Sequence, residues 1–305
     1  MLEFKPLSFD MKADVDQYFY AYGENSCQHS FNSSFYLIDK YDDQYFIKDD
    51  VLYTLRNKKC DDTFNMYLFP MCDYSNTEKV KNALDEILNH AHTQGKKVCF
   101  LSLTEKAKGI LENIYKDKFI IEENRDLSEY IYTYDTLANL PGSKLSSKRY
   151  DLATFARDYG SRFTEKLITH DNLNEVIAFQ KKWMDEGMAG LMSESVYSEN
   201  EAVARGIKYF DELKASGILT YVDGKCVGYA FGVELSNEAY DVLVEKGDKS
   251  CKDIYKVLNR DLVRMCCKKY KYINREEDIG VPGLRQSKMS YKPDILLAKF
   301  VVKEI

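Results

Sequence analysis

The sequence predicts an α/β (α+β) fold made of two tandem domains, each with a mixed sheet flanked by helices. At 305 residues the chain is long enough to bury two separate cores. A hairpin turn, a strand, a helix and a second strand begin near residues 49, 65, 77 and 97, and the same series recurs near 223, 239, 253 and 270. An offset of about 175 residues, shared by four consecutive elements, indicates a duplicated fold.

The first half contains both helical and strand patterns. Residues 77–92 predict a helix because their apolar side chains recur every three or four residues along one face. Further helices are predicted before Gly23 and at 104–115. Short runs of β-branched and aromatic residues predict strands at residues 35–38, 45–47, 51–55, 65–69 and 97–103.

The second half repeats this order. Asp223-Gly224 is typical of a type I′ turn and predicts a hairpin between residues 218–222 and 226–231. A helix is predicted at 253–269. Strands are predicted on either side of it, at residues 239–244 and 270–274, and a last one at 295–302.

Residues 139–149 mark the predicted domain boundary. Pro141-Gly142 and the small polar residues after it are typical of a connecting segment. We therefore predict an N-terminal domain of residues 1–142 and a C-terminal domain of residues 143–305, with the active cleft in the second.

Composition restricts the classes of function. The net charge is −6, so contact with a nucleic-acid backbone would need a local basic patch. Eight cysteines without a CxxC pair indicate reduced thiols rather than disulfides or a metal site, and we predict no metal. No signal peptide opens the sequence, and no apolar run is long enough to cross a membrane. These features predict a cytoplasmic protein and leave its oligomeric state open.

The segment from Asn274 to Pro293 has the densest concentration of candidate functional residues. A predicted buried strand runs directly into a loop framed by Gly280 and Gly283. Ligands of open α/β sheets bind just beyond the carboxyl ends of strands. Solvated surface ion pairs are the alternative interpretation. The polar side chains that follow this strand are Asn274, Arg275, Asp278, Arg285, Lys288 and Tyr291.

The pattern Asn-Arg-Glu-x-Asp-x-Gly-x-x-Gly-Leu-Arg-x-x-Lys-x-Ser-Tyr-x-Pro, starting at Asn274, resembles the signature of a bacterial family of unknown function. That family is grouped with the C-terminal domain of phosphatidylglycerol lysyltransferase. Weaker similarities lie at Lys148-Arg149, at Phe179-Gln180-x-x-Trp183, in residues 242–246 and in residues 254–259. Residues 220–232 also resemble the second and third strands of the GNAT acyltransferase superfamily.

The resemblance implies two GNAT-like domains in tandem. It also implies kinship to enzymes that move an aminoacyl group from tRNA to a hydroxyl or amine acceptor. In such folds two central strands splay apart, and the donor lies in the gap. The related lysyltransferases usually carry a large membrane-spanning region, which is not found in this sequence.

Transfer from an aminoacyl ester needs proton removal from the acceptor and stabilisation of an oxyanion. Asp278 or Glu245 is a candidate to hold the donor's amino group or take the proton. Arg285 or Lys288 is a candidate for the oxyanion, and Tyr291 for positioning the acceptor. Structural salt bridges are the alternative for each. Further candidates for substrate binding are Glu245, Lys246, Asn274, Arg275, Lys148 and Arg149.

The donor is predicted to be aminoacyl-tRNA, with acyl-CoA as the alternative. The loop that would cradle the phosphates of coenzyme A, residues 245–252, contains one glycine, and its counterpart at 71–76 contains none. The first domain is therefore predicted to be degenerate. A third hypothesis is a non-catalytic protein that binds a small anion or a lipid headgroup.

Two basic patches are candidates for contact with a tRNA end or with anionic phospholipid, although a solvated surface is the alternative. Their members are Lys144, Lys148 and Arg149 in one, and Arg264, Lys268, Lys269, Lys271 and Arg275 in the other.

Overall fold

A computed structural model describes residues 2–187 and 194–305. The chain divides into two compact units. Unit 1 comprises Met1–Glu129, Glu277–Pro282 and Leu296–Ile305, and unit 2 comprises Tyr130–Glu276 and Gly283–Ile295. These units differ from the predicted division at residue 142, because the first boundary follows Glu129 and two C-terminal segments return to unit 1.

Unit 1 is built on a seven-stranded sheet with the order β1-β2-β3-β4-β5-β14-β6. Only β4 and β5 are parallel; the other neighbours are antiparallel. The strands are β1 (Lys5–Pro6), β2 (Asp43–Lys48), β3 (Val51–Arg56), β4 (Phe64–Tyr67), β5 (Lys97–Leu103), β6 (Phe119–Glu123) and β14 (Phe300–Glu304). The helices are α1 (Lys12–Tyr22), α2 (Phe31–Tyr36), α3 (Ile38–Tyr41), α4 (Thr77–Thr93) and α5 (Glu105–Ile114).

Unit 2 repeats this architecture with the sheet order β13-β7-β12-β11-β10-β9-β8. The strands β11 and β12 are parallel, whereas the pairs β7–β12, β11–β10, β10–β9 and β9–β8 are antiparallel. The strands are β7 (Glu129–Thr133), β8 (Phe163–Leu167), β9 (Ser216–Val222), β10 (Lys225–Ser236), β11 (Ala239–Gly247), β12 (Tyr272–Asn274) and β13 (Ile295–Leu297). The helices are α6 (Tyr134–Asn139), α7 (Ser146–Tyr159), α8 (Leu173–Gly187), α9 (Glu194–Lys208), α10 (Ile254–Cys266) and α11 (Pro282–Ser290). None of the described helices is long and apolar enough to cross a membrane.

The predicted duplication extends to the last strands of each half. The strand β13 corresponds to β6, and β14 corresponds to β7. The first residues of each pair are separated in the sequence by nearly the same offset as the other repeated elements. The last strand of each half, however, pairs in the other half's sheet: β7 lies beside β12, and β14 lies between β5 and β6. The prediction of a single strand at 295–302 is therefore wrong, because this segment contains two strands, β13 and β14, which belong to different sheets.

Two further predictions of secondary structure are wrong. Residues 35–38 are not a strand but parts of α2 and α3; α2 begins because the side chain of Ser30 accepts a hydrogen bond from the backbone of Ser33. The segment after Gly280 is not entirely a loop, because α11 starts at Pro282. Proline is favoured at the first helical position, where its missing N–H has no partner to lose.

The strands β11 and β12 separate soon after they begin. Their register covers only Ala239↔Tyr272, Tyr240↔Ile273 and Asp241↔Asn274, whereas β11 continues to Gly247 beside β10. Gly232 on β10 lies at the point of separation, and a Cβ added there would lie 1.9 Å from the carbonyl oxygen of Asp241. Glycine thus permits the irregular pairing of β10 with β11 at this point.

The carboxyl group of Glu165, on β8, makes the stability of the fold depend on pH. Burial and the neighbouring carboxylate of Asp261 raise the pKa of Glu165 from 4.5 to about 8. The folded chain therefore holds a proton that the unfolded chain has released. The protonated carboxyl of Glu165 therefore stabilises the fold fully below pH 4.5, and this stabilisation is lost as the pH rises towards 8. The slope that we expect is at most about 1.4 kcal/mol per pH unit.

We expect Glu165→Gln to flatten this slope, because glutamine has no proton to release. Urea unfolding of both proteins between about pH 5 and pH 8 measures the difference. Equal slopes for the two proteins would contradict the assignment of the titration to Glu165.

Candidate functional site

A buried ion pair crosses the gap where β11 and β12 separate. Glu245 lies near the end of β11, and Arg275 is the first residue after β12. The Nη2 atom of Arg275 lies 2.5 Å from Oε2 of Glu245, and the two side chains are 10% and 14% exposed. The backbone N–H of Arg275 also donates to the carbonyl of Tyr130, which extends the pairing with β7 beyond β12. The separated strands thus place one cation and one anion in the cleft.

The guanidinium of Arg275 has donors that are not used. Its Nε and Nη1 atoms are buried and have no hydrogen-bond partner among the described residues. The rings of Tyr132 and Tyr291 lie 6.0 Å and 5.2 Å from its Cζ atom. Burial alone would lower the pKa of Arg275, but the charge of Glu245, its hydrogen bond to the guanidinium and the neighbouring tyrosines together hold the pKa above its usual value. The group stays charged and has hydrogen bonds left to donate.

Tyr291 and Lys148 lie beside this pair. The Nζ atom of Lys148 is 4.4 Å from the centre of the Tyr291 ring, and it forms no ion pair within the described part of the chain. Burial and the positive charge of Lys256 lower the pKa of Lys148. Burial raises the pKa of Tyr291 to about 12, against the effect of Arg275, so its hydroxyl is protonated near neutral pH.

Four other residues of the cleft were not predicted from the sequence. Lys256, on α10, bridges two carboxylates, Asp151 Oδ2 at 2.7 Å and Asp253 Oδ1 at 2.5 Å. One helical turn further on, Nδ2 of Asn259 lies 3.3 Å from Oε1 of Glu245, while its Oδ1 is buried without a partner in the described chain. Lys256 and Asn259 are three residues apart and share a face of α10, and Asp253 directly precedes the helix. This spacing is the signal that sequence reasoning missed.

Four of the predicted site residues therefore come together: Glu245, Arg275, Tyr291 and Lys148. Lys246 follows Glu245 on the strand and faces the opposite side of the sheet. There its Nζ atom lies 3.9 Å from the centre of the Trp183 ring and 2.7 Å from Glu199.

Three other predicted residues hold the backbone around the cleft. The ammonium of buried Lys288 donates to the carbonyl of Arg275 and so ties α11 to the end of β12. Asn274 accepts a hydrogen bond from the backbone of Glu276 at 2.7 Å. The exposed Arg149 donates to the carbonyls of Leu140 and Gly142, beyond the end of α6.

The last two predicted residues are Asp278 and Arg285. Asp278 belongs to unit 1, where it is fully buried; its Oδ1 accepts from the backbone of Gly280, and its Oδ2 lies 3.4 Å from Nη1 of Arg125. Arg285 is half-buried on α11. Among the described residues no group of three His, Cys, Asp or Glu side chains is arranged to hold a metal ion.

Unit 1 has no comparable ion pair at the equivalent place. Tyr67 pairs with Phe100 where Asp241 pairs with Asn274 in unit 2. Counting from these pairs, the positions of Glu245 and Arg275 correspond to Met71 and Leu101. Both are apolar, so this gap lacks the polar side chains that the second unit presents.

The start of α10, where a GNAT donor's phosphates would bind, is occupied by the chain's own groups. The N–H of Ile254 donates to the carbonyl of Cys251, and the N–H groups of Lys256 and Val257 donate to that of Asp253. The carboxylates of Asp253 and Asp248 also lie in this loop. A bound pyrophosphate would compete for these donors and meet like charge.

Comparison with known proteins agrees with this architecture. A crystal structure of a conserved protein of unknown function from Bacteroides thetaiotaomicron is 27% identical, covers 100% of both chains and has a TM-score of 0.92. The structure of L-PGS from Bacillus licheniformis is 14% identical, covers 98% of this chain and 93% of its own, and has a TM-score of 0.67. A tandem GNAT protein from the clavulanic acid biosynthesis pathway is 9% identical, covers 100% and 98%, and has a TM-score of 0.53.

The prediction of two tandem GNAT-like domains with mixed sheets is thus confirmed. The family described as "Phosphatidylglycerol lysyltransferase, C-terminal" matches residues 20–303, nearly the whole chain, and it supports acyl or aminoacyl transfer in general. The resemblance found in the segment after Asn274 is therefore confirmed, and the chain belongs to the phosphatidylglycerol lysyltransferase C-terminal family.

Proposed function

We propose that the protein transfers an aminoacyl group from aminoacyl-tRNA to an amine or hydroxyl acceptor, in the cytoplasm, where charged tRNA is available. The reaction takes place in the gap between β11 and β12. The observation that carries the proposal is the guanidinium of Arg275, which is held across this gap by Glu245 and keeps two buried donors unpartnered.

The residues of the cleft suit each step of the transfer. The acceptor attacks the ester carbonyl carbon, and the carbonyl oxygen becomes an oxyanion that the unused donors of Arg275 stabilise. Glu245 takes the acceptor's proton, and the hydroxyl of Tyr291 positions the acceptor. The bond to the ribose oxygen then breaks, and the proton passes to that oxygen. Arg275 thus takes the oxyanion role predicted for Arg285 or Lys288.

Aminoacyl-tRNA is favoured over acyl-CoA by the start of α10. Three of its N–H groups, those of Ile254, Lys256 and Val257, are bonded to the backbone carbonyls of Cys251 and Asp253. The carboxylates of Asp253 and Asp248 belong to the same loop. Coenzyme A needs free amides at this position for its pyrophosphate. An ester at the end of a tRNA needs only a site for the carbonyl and the amino group in the cleft.

The proposal is tested with tRNA charged with radiolabelled amino acids and with two acceptors, phosphatidylglycerol vesicles and a lysine-containing peptide. We expect label to move to one acceptor. Arg275→Met should lower the rate at least about 100-fold, because it removes the oxyanion donors. Lys225→Met, an exposed lysine on the hairpin of the same unit, is the matched control.

Transfer from acetyl-CoA but not from charged tRNA would overturn the proposal in favour of an acyl-CoA enzyme. Equal rates for Arg275→Met and the unaltered chain would place the reaction elsewhere.

A further inference from the structure

A pocket of about 550 Å³ opens in unit 1 between the β2–β3 hairpin and the helix α4. The helix lines one wall with side chains between Asn76 and Asn89, and the hairpin lines the other with Asp49, Val51 and Tyr53. A volume of this size is typical of pockets that hold small organic ligands. The pocket is separate from the residues proposed to transfer the aminoacyl group, which all belong to unit 2.

The equivalent face of unit 2 is covered by a helix. Matching the buried residues of α4 with those of α10 places Ala83 at the position of Val257. Val257 belongs to the same buried cluster as Leu152 and Phe155 of α7. Ala83, by contrast, lines the pocket. The pocket is therefore a property of unit 1 and not of the repeated architecture.

Two polar groups of the pocket have hydrogen bonds left to make. Tyr53 is only 2% exposed and lines the pocket, and its hydroxyl has no hydrogen-bond partner in the described chain. Oε1 of Glu86 accepts from Nζ of Lys48 at 2.7 Å, whereas Oε2 is buried without a partner among the residues that the structure describes. Burial and the nearby carboxylate of Glu86 raise the pKa of Tyr53, so its hydroxyl stays protonated near neutral pH and can both donate and accept. A buried carboxylate oxygen without a donor is costly unless a ligand supplies one.

Negative charge is in excess around the pocket. Five carboxylates line or flank it, and three ammonium groups of the described residues pair with them. Glu78 forms no ion pair within residues 2–187 and 194–305. An organic cation is therefore attracted to the pocket, and an anion is repelled. The carboxylates are Asp49, Asp50, Glu78, Asp85 and Glu86, and the ammonium groups are those of Lys48, Lys79 and Lys81.

The carboxylates are spread along the helix. Glu78 and Glu86 are eight residues apart on α4, which corresponds to about 12 Å along its axis. Asn82 lies between them and lines the same wall, because residues four apart share a face of a helix. A ligand with one positive charge reaches only one of these two carboxylates. A chain with an amine at each end reaches both.

We propose that this pocket binds a linear aliphatic polyamine. One terminal ammonium donates to Oε2 of Glu86 and to the hydroxyl of Tyr53, and the other binds the carboxylate of Glu78. The methylene groups between them lie against Val51 and Ala83, the aliphatic side chains of the two walls. This inference does not depend on the proposed function, because the pocket and the transfer site belong to different units.

Binding to the full chain is measured by isothermal titration calorimetry in about 0.15 M salt, which screens charge attraction at exposed surfaces. The probes are spermidine, octane-1,8-diamine and butane-1,4-diamine. The two diamines carry equal charge and differ only in length. We expect the longer diamine to bind at least about tenfold more tightly than the shorter one, since only the longer one reaches both carboxylates. Spermidine should bind at least as tightly as the longer diamine.

Variants assign the two polar groups of the pocket. Glu86→Gln should weaken the binding of spermidine at least about tenfold, because it removes the buried negative charge. Tyr53→Phe keeps the ring and should weaken binding several-fold. Glu112→Gln, at an exposed carboxylate on α5 of the same unit, is the matched control and should bind like the unaltered chain. Urea unfolding of each variant checks that the fold is kept.

Equal affinity for the two diamines, or no binding of any probe, would overturn the inference. Unchanged binding of spermidine by both Glu86→Gln and Tyr53→Phe would also overturn it and would leave only attraction to surface charge. The transfer of label from charged tRNA is a separate measurement, so a failure of either proposal can be recognised without the other.

Discussion

Replacing Lys299 by methionine is expected to lower the unfolding free energy by about 3–5 kcal/mol. Lys299 and Glu129 form a salt bridge of 2.8 Å, and both side chains have no exposed surface. Ser26 donates to Oε1 of Glu129, and the backbone N–H of Cys27 donates to Oε2. Methionine would fill much the same space but would leave a buried carboxylate without its cation. Urea denaturation at neutral pH measures the loss.

The double variant Lys299→Met, Glu129→Gln is the control. It removes both charges, so it should be more stable than the single variant. A loss of less than about 1 kcal/mol for Lys299→Met would mean that water reaches the carboxylate and that the pair is not buried.

Asp43→Ala is expected to destabilise unit 1 by a similar amount, about 3–5 kcal/mol. Nε and Nη2 of Arg56 donate to the two oxygens of Asp43 at 2.9 Å and 3.1 Å, and Nη1 donates to Gln28 at 2.7 Å. The guanidinium also lies 4.0 Å from the centre of the Tyr41 ring. Because Arg56 is only 2% exposed, its charge has no route to water once the carboxylate is removed.

An exposed ion pair of the same unit provides the matched comparison for Asp43→Ala. Lys81 and Asp85 are 53% and 40% exposed and lie 2.6 Å apart on α4. We expect Lys81→Met to change the unfolding free energy by less than about 1 kcal/mol, since solvent screens such pairs. Thermal or urea unfolding of both variants tests the contrast, and equal losses would contradict the role given to burial.

Local patterns predicted the regular elements well where one face of the element is apolar. The helix predicted at 77–92 is α4, and the strand predicted at 97–103 is β5. The strand predicted at residues 35–38 was wrong because the aromatic residues there are compatible with a strand as well as with a helix. The helix α2 is favoured by the cap at Ser30 and by the burial of Phe31. Neither feature can be recognised from the periodicity of a few residues.

The candidate site was predicted in part. Glu245, Arg275, Tyr291 and Lys148 were singled out and come together, although they are spread over more than a hundred residues of the sequence. Asp278, only three residues after Arg275, lies buried in unit 1 instead. Sequence distance is a poor guide to contact here, because the chain leaves unit 2 for unit 1 directly after Glu276.

The sequence by itself determined the duplicated α/β fold and the family, because hydrophobic periodicity, turn residues and the motif after Asn274 are local features. Only the tertiary structure decided that β7 and β14 pair with strands of the other half of the chain. It also decided which charged side chains form ion pairs. Strand partners and buried ion pairs depend on contacts between distant residues, and no local pattern encodes them. The pairing of Glu245 with Arg275, which leaves two donors of the guanidinium unused, is such a contact.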